Sequence, residues 1–449
     1  MIVRQRLIFW LIKAYWKRSR KQILIYFGVG LLVFFLLRFL LGIFSALPFE
    51  KKETIGIVGF HTIDDLPQSI LSKISFGLTL AQNDGTVKPG AAYKWQVINN
   101  GKVYVFYLKP DVSFSDGANL TSNLVRYNFS DVEIDRPNKV TIVFKLKDNY
   151  SPFLITASRP IFKKGFVGVG DYKVKNIKLN GNFVESLDLV LRNGRATLSY
   201  QFYPTAMALK NAFVLGEVSK MEELSDVKFK STAFTSFKNS AVVRKINYGK
   251  LVTLFYNTQN DLMSSKNLRE GLSYAILDSF EEGLRNSTPF SPLSFAAQPG
   301  LSTYQEDLVH AKLLLDKVPL SGKSSRLSLV IDTLPRFENT AKKIAKIWQS
   351  LNVNVKVRVV DKIPQNFQIF LGEFNVSLDP DQYVLWHSDQ LTNIAHYSNL
   401  RVDKLLEDGR KETDIEKRKQ IYADFQKYIL ADPPASFLYF PYEYEVSRK

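Results

Sequence analysis

The chain has 449 residues, with 60 Lys and Arg against 43 Asp and Glu, four His and no Cys. Lack of Cys excludes disulfides, thiol catalysis, cysteine metal sites and a lipid-modified N-terminal Cys, and His61, His310, His387 and His396 form no close pair, so neither a metal site nor a cofactor is expected. The positive excess is spread along the chain without the basic stripe that nucleic acid requires.

Residues 2–17 alternate Arg and Lys with Leu, Ile, Phe and Trp, a pattern suited to an amphipathic helix on an inner leaflet. Ile23 to Leu47 follows, twenty-five residues with the single charge Arg38. A bilayer crossing needs ~20 mostly apolar residues. Arg4, Arg6, Lys13, Lys17, Arg18, Arg20 and Lys21 crowd the N-terminal side, and no acid precedes Glu50. That asymmetry predicts a cytoplasmic basic segment over 1–21, a single-pass transmembrane anchor over 22–48, and an extracytoplasmic domain from about Phe49. A cleaved signal has a shorter core and a small-x-small site, whereas Phe44-Ser45-Ala46 puts Phe at a small position. An uncleaved anchor is therefore expected, with Arg38 snorkelling or paired, since a charge there costs about 2.5–3.5 kcal/mol. The short link Pro48–Thr54 holds the outer domain within about 25 Å of the bilayer.

The next hundred residues read as short strands and turns. Val103 to Leu108 is apolar on both faces and predicts a strand buried on both, Val140 to Leu146 pairs with Asp131–Ile134, and Leu120–Phe129 predicts a short helix. Residues 203–216 are helical, and a strand at Val252–Tyr256 leads into a helix at about Lys266–Leu284. The clearest unit is Arg326–Ile331 as strand, Asn339–Leu351 as helix and Val353–Val359 as strand, which implies parallel pairing by a right-handed crossover, with Asn352 in the left-handed turn. Arg401–Lys411 and Asp414–Leu430 form a helix pair, the second opened by a Thr413–Glu416 capping box. Ser436–Glu445 is extended and aromatic.

An ordered series of motifs carries a resemblance. It runs from WQVINNGKVYVFYLKPDVSFSDG at Trp95–Gly117 through GVGDYKV, GEV at Gly216–Val218 and LFYNT at Leu254–Thr258 with NLREGLSYAI. It ends with DPDQYVLWHSDQLTNIAHYSNLRVDKLLEDGR, RKQIYADFQKYIL and DPPASFLYFPY. Over residues 55–445 the chain resembles the family 5 extracytoplasmic solute-binding proteins, which serve ABC importers of oligopeptides, dipeptides and nickel complexes. The resemblance implies an α/β, two-lobed periplasmic-binding-protein-like fold (type II, large oligopeptide-binding class). The first lobe spans 49–255 with a small inserted subdomain at about 83–150, the second spans 256–435, and 436–449 returns to the first. LFYNT and SFLYFPY are the two hinge crossings. A solute between the lobes selects the closed form.

The same resemblance puts Tyr256, Asn257 and Thr258 at the hinge mouth, and Tyr383, Trp386, His387 and Asn393 in a loop facing the cleft, as ligand-binding residues; aromatic walls with a few polar groups suit a solute site. His387-Ser388-Asp389 is not read as a catalytic triad, because adjacent residues rarely reach that geometry, and no enzyme activity is expected. In peptide-binding relatives an Asp before the Asp-Pro pair holds the peptide amine; here Val376 stands at that spacing from Asp379-Pro380. Either Glu373 or Asp381 substitutes, or the solute lacks a free peptide amine. The C-terminal extension usual in the family is absent before Lys449. The expected partners are a small solute such as an oligopeptide, an ABC permease and the bilayer, with the protein a monomer. The alternative is a ligand sensor or envelope scaffold with the same fold and no transport role.

Overall fold

The computed structural model describes residues 2–46, 51–301, 303–319 and 326–449. They form two units, one of Met1–Lys52 with Asn193–Thr197 and the other of Glu53–Arg192 with Leu198–Lys449.

The first unit is a helix from Ile2 to Ala46 in which Ser19 leaves the helical angles (φ −122°, ψ 15°). Its axis turns by 60° between Lys13–Gln22 and Leu24–Phe39. The bend has a local cause: Lys17, Arg18, Arg20 and Lys21 repel one another at helical spacings, and Ser19 can satisfy backbone groups with its own hydroxyl. Among the described residues no single helix is long and apolar enough to cross a membrane, whereas the bent pair has the length and composition together. The stretch expected to span over 22–48 is, as far as Ala46, the distal part of this bent helix. Tyr26, Phe27, Phe34, Phe39 and Arg38 are exposed on it. Residues 47–50, where the span was expected to end, lie outside the described residues.

In the second unit, β-branched residues make a strand of Lys51–Val58, which runs parallel to Lys220–Leu224 through Ile55 and Gly56. Gly56 is required by packing, since a Cβ there would come 2.1 Å from Leu209 Cδ1 on the helix Ala206–Leu215. That helix is capped by Thr205, which accepts from Ala208 N–H, and ends at Gly216 with φ 90°. Ile55, Ile57, Ile70, Leu187 and Tyr200 form one first-lobe core, and Leu209, Phe213, Met221, Phe234 and Val446 a second.

The inserted subdomain is a four-stranded antiparallel sheet in the order Ala92–Ile98, Val103–Leu108, Thr141–Leu146, Val132–Asn138. Only one face of Val103–Leu108 is fully buried, through Tyr104, Phe106 and Leu108, which corrects the expectation of two. The predicted helix at Leu120–Phe129 is only the 3₁₀ turn Ser122–Leu124. Val125 is drawn extended into the subdomain core, and Tyr127 Oη donates to Arg159 O at 2.6 Å; a few residues cannot nucleate a helix against such tertiary contacts.

The second lobe carries the predicted strand-helix-strand unit as Ser328–Thr333, Glu338–Ser350 and Asn354–Val359, with parallel pairing and Asn352 at φ 67°. Ile369–Asn375 adds a parallel strand to Ser328–Thr333, and Lys250–Tyr256 pairs antiparallel with it. Trp348, Ile344 and Ala341 cover one face of this sheet. Phe255, Phe370, Phe374 and Trp386 cover part of the other, under Leu406, Tyr422 and Phe425 from the helices Leu400–Lys411 and Ile415–Ala431. The N-cap of the latter is Asp414, which accepts from Lys417 N–H, rather than Thr413. The helix from Lys266 ends at Tyr274, short of Leu284, because Gly283–Arg285 is taken as a strand by Tyr439–Pro441.

The lobes are joined by two crossing strands. Ser240–Ile246 pairs with the first-lobe half of the long strand Ala435–Arg448, from Arg448 to Tyr442. After the turn at Asn247–Gly249, Lys250–Tyr256 pairs with its second-lobe half, Val252 against Tyr439 and Phe255 against Ala435. The crossing therefore lies at Asn247–Gly249 and near Pro441, not at the LFYNT end. Leu251 to Tyr256 already contribute to second-lobe cores, which moves the 255/256 boundary back to this turn. Asn247 N–H donates to Pro441 O at 2.9 Å, and Pro441 can return no bond because it has no N–H.

Gly283 lets its strand lie against Tyr439 and Phe440: a Cβ there would meet Tyr439 Cδ2 at 2.2 Å and Phe440 O at 2.3 Å. Gly283→Ala is expected to destabilise the protein by about 1–3 kcal/mol, read as a lower urea midpoint; an unchanged midpoint would refute this packing.

Candidate functional site

Between the lobes lies a cleft of about 410 Å³. Its floor is the crossing itself, Lys245–Gly249 with Glu443; Glu223 stands on the first-lobe side, and Phe290–Ser294 with Val376–Leu378 on the second. Contacts from the inserted subdomain close it over. Phe295 N–H donates to Asp84 O at 2.7 Å, and Ser151 N–H donates to Arg410 O at 2.9 Å. The Arg410 guanidinium lies over Tyr150 (5.3 Å) across the lobe contact and over Tyr383 (4.2 Å) within its own lobe.

The acids in and around the cleft differ in their neutralisation. Glu373 is held by Lys250 (3.5 Å) and Arg336 (3.0 Å), and Asp381 by Arg410 (2.9 Å). Asp379 makes a buried bidentate pair with Arg418 at 2.7 and 3.0 Å, a geometry that satisfies both oxygens. Neither Glu373 nor Asp381 is thus free to take the place left by Val376. Burial pushes the Asp381 carboxyl up despite the opposing pull of Arg410.

Glu223 and Glu443 have no cationic side chain within ion-pair distance among the described residues. Asn247 Nδ2 donates to Glu443 Oε1 at 2.5 Å, and Ser69 Oγ donates to Glu223 Oε1 at 3.4 Å. Glu223 sits at φ 58° where the register with Ala435–Arg448 shifts between Met221 and Leu224. A non-glycine residue in the left-handed region is held there by its surroundings. Glu223 reaches solvent, yet protein crowds it on most sides; this enclosure, and then the Glu443 carboxylate, hold its carboxyl above the ordinary value.

None of the seven residues expected at the site lines this cleft. Tyr256 is fully buried, its hydroxyl bonded to Ser436 Oγ at 2.6 Å and its pKa pushed up to about 12 by burial. With Asn257 and Thr258 it ends the strand far from the crossing. Asn257 Nδ2 donates to Phe367 O, and Thr258 Oγ1 to Ala395 O and His396 O. Trp386 is 1% exposed in the second-lobe core and donates to Gln382 Oε1 at 2.8 Å. Asn393 bridges Tyr397 O and Tyr397 N–H, stapling its own loop. Only Tyr383 and His387 are brought together, stacked at 4.2 Å with Tyr383 under Arg410. His387 Nδ1 lies 2.6 Å from Asp389, while Ser388 Oγ donates to Asp403 at 2.7 Å, so no serine-to-histidine relay forms. Glu223, Asn247 and Glu443 were missed. The one available signal was a polar Asn-Tyr-Gly turn between two apolar strands.

The sequence profile of the bacterial extracellular solute-binding proteins, family 5 Middle, matches residues 86–395. The chain is similar to the oligopeptide-binding protein AppA of Bacillus subtilis, at 23% identity over 85% of this chain and 83% of the relative. It is also similar to the probable D,D-dipeptide-binding periplasmic protein DdpA of Escherichia coli, at 22% identity over 79% of each. Among solved structures, the ABC transporter substrate-binding protein CtaP of Listeria monocytogenes superposes with a TM-score of 0.75 at 18% identity, over 88% of this chain and 94% of that one.

The raised Glu223 carboxyl has a sign that can be checked. Its folded pKa exceeds the unfolded one, so native stability falls as pH rises from the ordinary carboxyl value through the raised one. Glu223→Gln is expected to raise the melting temperature at pH 7 and to leave it unchanged at about pH 3, where the carboxyl is protonated in both states. An equal shift at both pH values would contradict this.

Proposed function

The chain belongs to the bacterial extracellular solute-binding proteins of family 5, and from that premise we propose that it captures an oligopeptide or similar small solute between its lobes and delivers it to an ABC importer. The observation that carries this reading is the cleft, floored by the strands that cross between the lobes and closed over by the inserted subdomain. A solute touching both walls binds the closed form more tightly than the open one, and that difference signals occupancy. The names of the relatives, oligopeptide-binding for AppA and ABC transporter substrate-binding for CtaP, support the solute class and the partner.

In this reading a solute ammonium lies between Glu223 and Glu443 rather than against Val376. Of the seven residues expected to hold ligand, Tyr383 acts at the edge of the cleft through Arg410. Tyr256, Asn257, Thr258, Trp386, His387 and Asn393 hold the second lobe in shape behind it. Because the chain has no Cys, Asn180→Cys and Lys346→Cys place one fluorophore on each lobe. Energy transfer should change on adding short peptides to the full chain. Blocking the peptide amine by acetylation, or changing Glu223→Gln, should weaken the response about tenfold or more. A folded, labelled protein that responds to no peptide would sink the proposal.

The anchor belongs to the same proposal: residues 22–48 hold the protein in the cell membrane, with 1–21 cytoplasmic and the monomeric body outside. The basic flank and the exposed apolar surface of the helix from Leu24 onward support it. Alkaline carbonate washing should leave the protein in the membrane fraction, and protease added to intact cells should remove the body. Release by carbonate would overturn the anchor.

A further inference from the structure

The strand end that carries Asn257 opens onto a second concavity of about 440 Å³, lined by Asn257, Asn260, Asp332, Arg358, Gln368 and His396 among others. It lies on the sheet face opposite Trp348. Lys250 pairs with Asn375 at the cleft end of the ladder and Tyr256 with Ile369 at this end, so six residues, or about 20 Å, separate the two sites.

The polar groups here are spent unevenly. Gln368 Oε1 accepts from Val330 N–H at 2.8 Å. Asn260 Oδ1 accepts from Leu262 N–H (3.2 Å) and Met263 N–H (3.4 Å). A backbone N–H can face only the oxygen of an amide, so these bonds fix the orientation of both side chains. The acceptor oxygens of these two amides are consumed internally. Gln368 Nε2 and Asn260 Nδ2 have no partner among the described residues. Asp332, fully buried, takes Arg358 Nη2 at 2.8 Å and also Nε, which leaves Nη1 as a further donor on an exposed side chain. The two charges cancel, so the concavity offers donors without net charge. His396 adds its imidazole from an exposed position at φ 50°, held there by the Thr258 hydroxyl on its carbonyl at 2.8 Å. A left-handed histidine at the rim of a concavity is the kind of outlier from which a functional role is argued. Val330 and Phe367 supply an apolar strip beside it.

We infer that this concavity is a second binding site, separate from the interlobe cleft, for an uncharged ligand rich in acceptor oxygens, of which a saccharide is the matching class. Charge cancellation between Asp332 and Arg358 disfavours a bare anion. The surplus of N–H donors and the apolar strip suit a sugar ring with its hydroxyl oxygens.

The test exploits the two amides. Gln368→Glu and Asn260→Asp keep the oxygens that the backbone N–H groups need, so the fold is retained, and turn the outward donors into acceptors. Calorimetry with the full chain, in a detergent lacking a sugar headgroup, would use tri-N-acetylglucosamine and maltotriose at millimolar concentration, with inorganic phosphate as the anionic probe. At least one trisaccharide is expected to bind. The double variant should bind it about tenfold or more weakly at an unchanged melting temperature, and Asn247→Ala in the cleft should bind it normally. The inference is overturned if neither trisaccharide binds, if phosphate competes with it, or if binding survives the double variant. Loss of binding only on Asn247→Ala would assign the sugar to the cleft and equally overturn it. Peptide-driven closure is read separately, so failure here leaves the transport reading standing.

Discussion

Two lobes that share one backbone ladder cannot move independently of it, and that constraint organises the molecule. Ala435–Arg448 belongs to both sheets, and the strands on either side of Asn247–Gly249 pair with its two halves. Within each lobe the ladder is reinforced by buried side chains. At the crossing it thins to Asn247 on Pro441, with the proline unable to return a bond. The cleft lies directly on that point.

The polar contacts across the closed lobes are individually weak. Asp84 with Phe295 and Ser151 with Arg410 are single backbone hydrogen bonds, each with a net value of about 1 kcal/mol. The Arg410 guanidinium between Tyr150 and Tyr383 adds a comparable amount. Each is small enough for a solute of modest differential affinity to outweigh it. The strong bidentate pair of Asp379 with Arg418 is buried within the second lobe and shapes its wall.

What was legible in the chain follows from the range of the interactions concerned. The strand-helix-strand unit at 328–359 was readable because alternating valines and a helical apolar stripe are local patterns. The family motifs and the two aromatic crossing strands were readable for the same reason. The helix assigned to Lys266–Leu284 was read too long, since only the fold shows that Gly283–Arg285 lies on Tyr439–Pro441. The site was the least legible part. Trp386 and Tyr256 look like ligand walls in a motif, yet both are core residues. Glu373, Asp381 and Glu223 are alike as letters, and only Glu223 escapes a cation, because Arg336, Lys250 and Arg410 arrive from distant segments. Charge partnership is settled by tertiary structure.

The position of Ala435–Arg448 also bears on how the protein is made. It lies between Lys250–Tyr256 and Lys220–Leu224 in the sheet, yet is synthesised after both. As the chain emerges, each lobe must wait with a bare strand edge, of the kind that pairs readily with other chains. Contacts spanning some two hundred residues, such as Lys245 with Glu445, make the final step a slow, non-local one. Biogenesis therefore favours a chain kept apart from its neighbours until its last strand is laid.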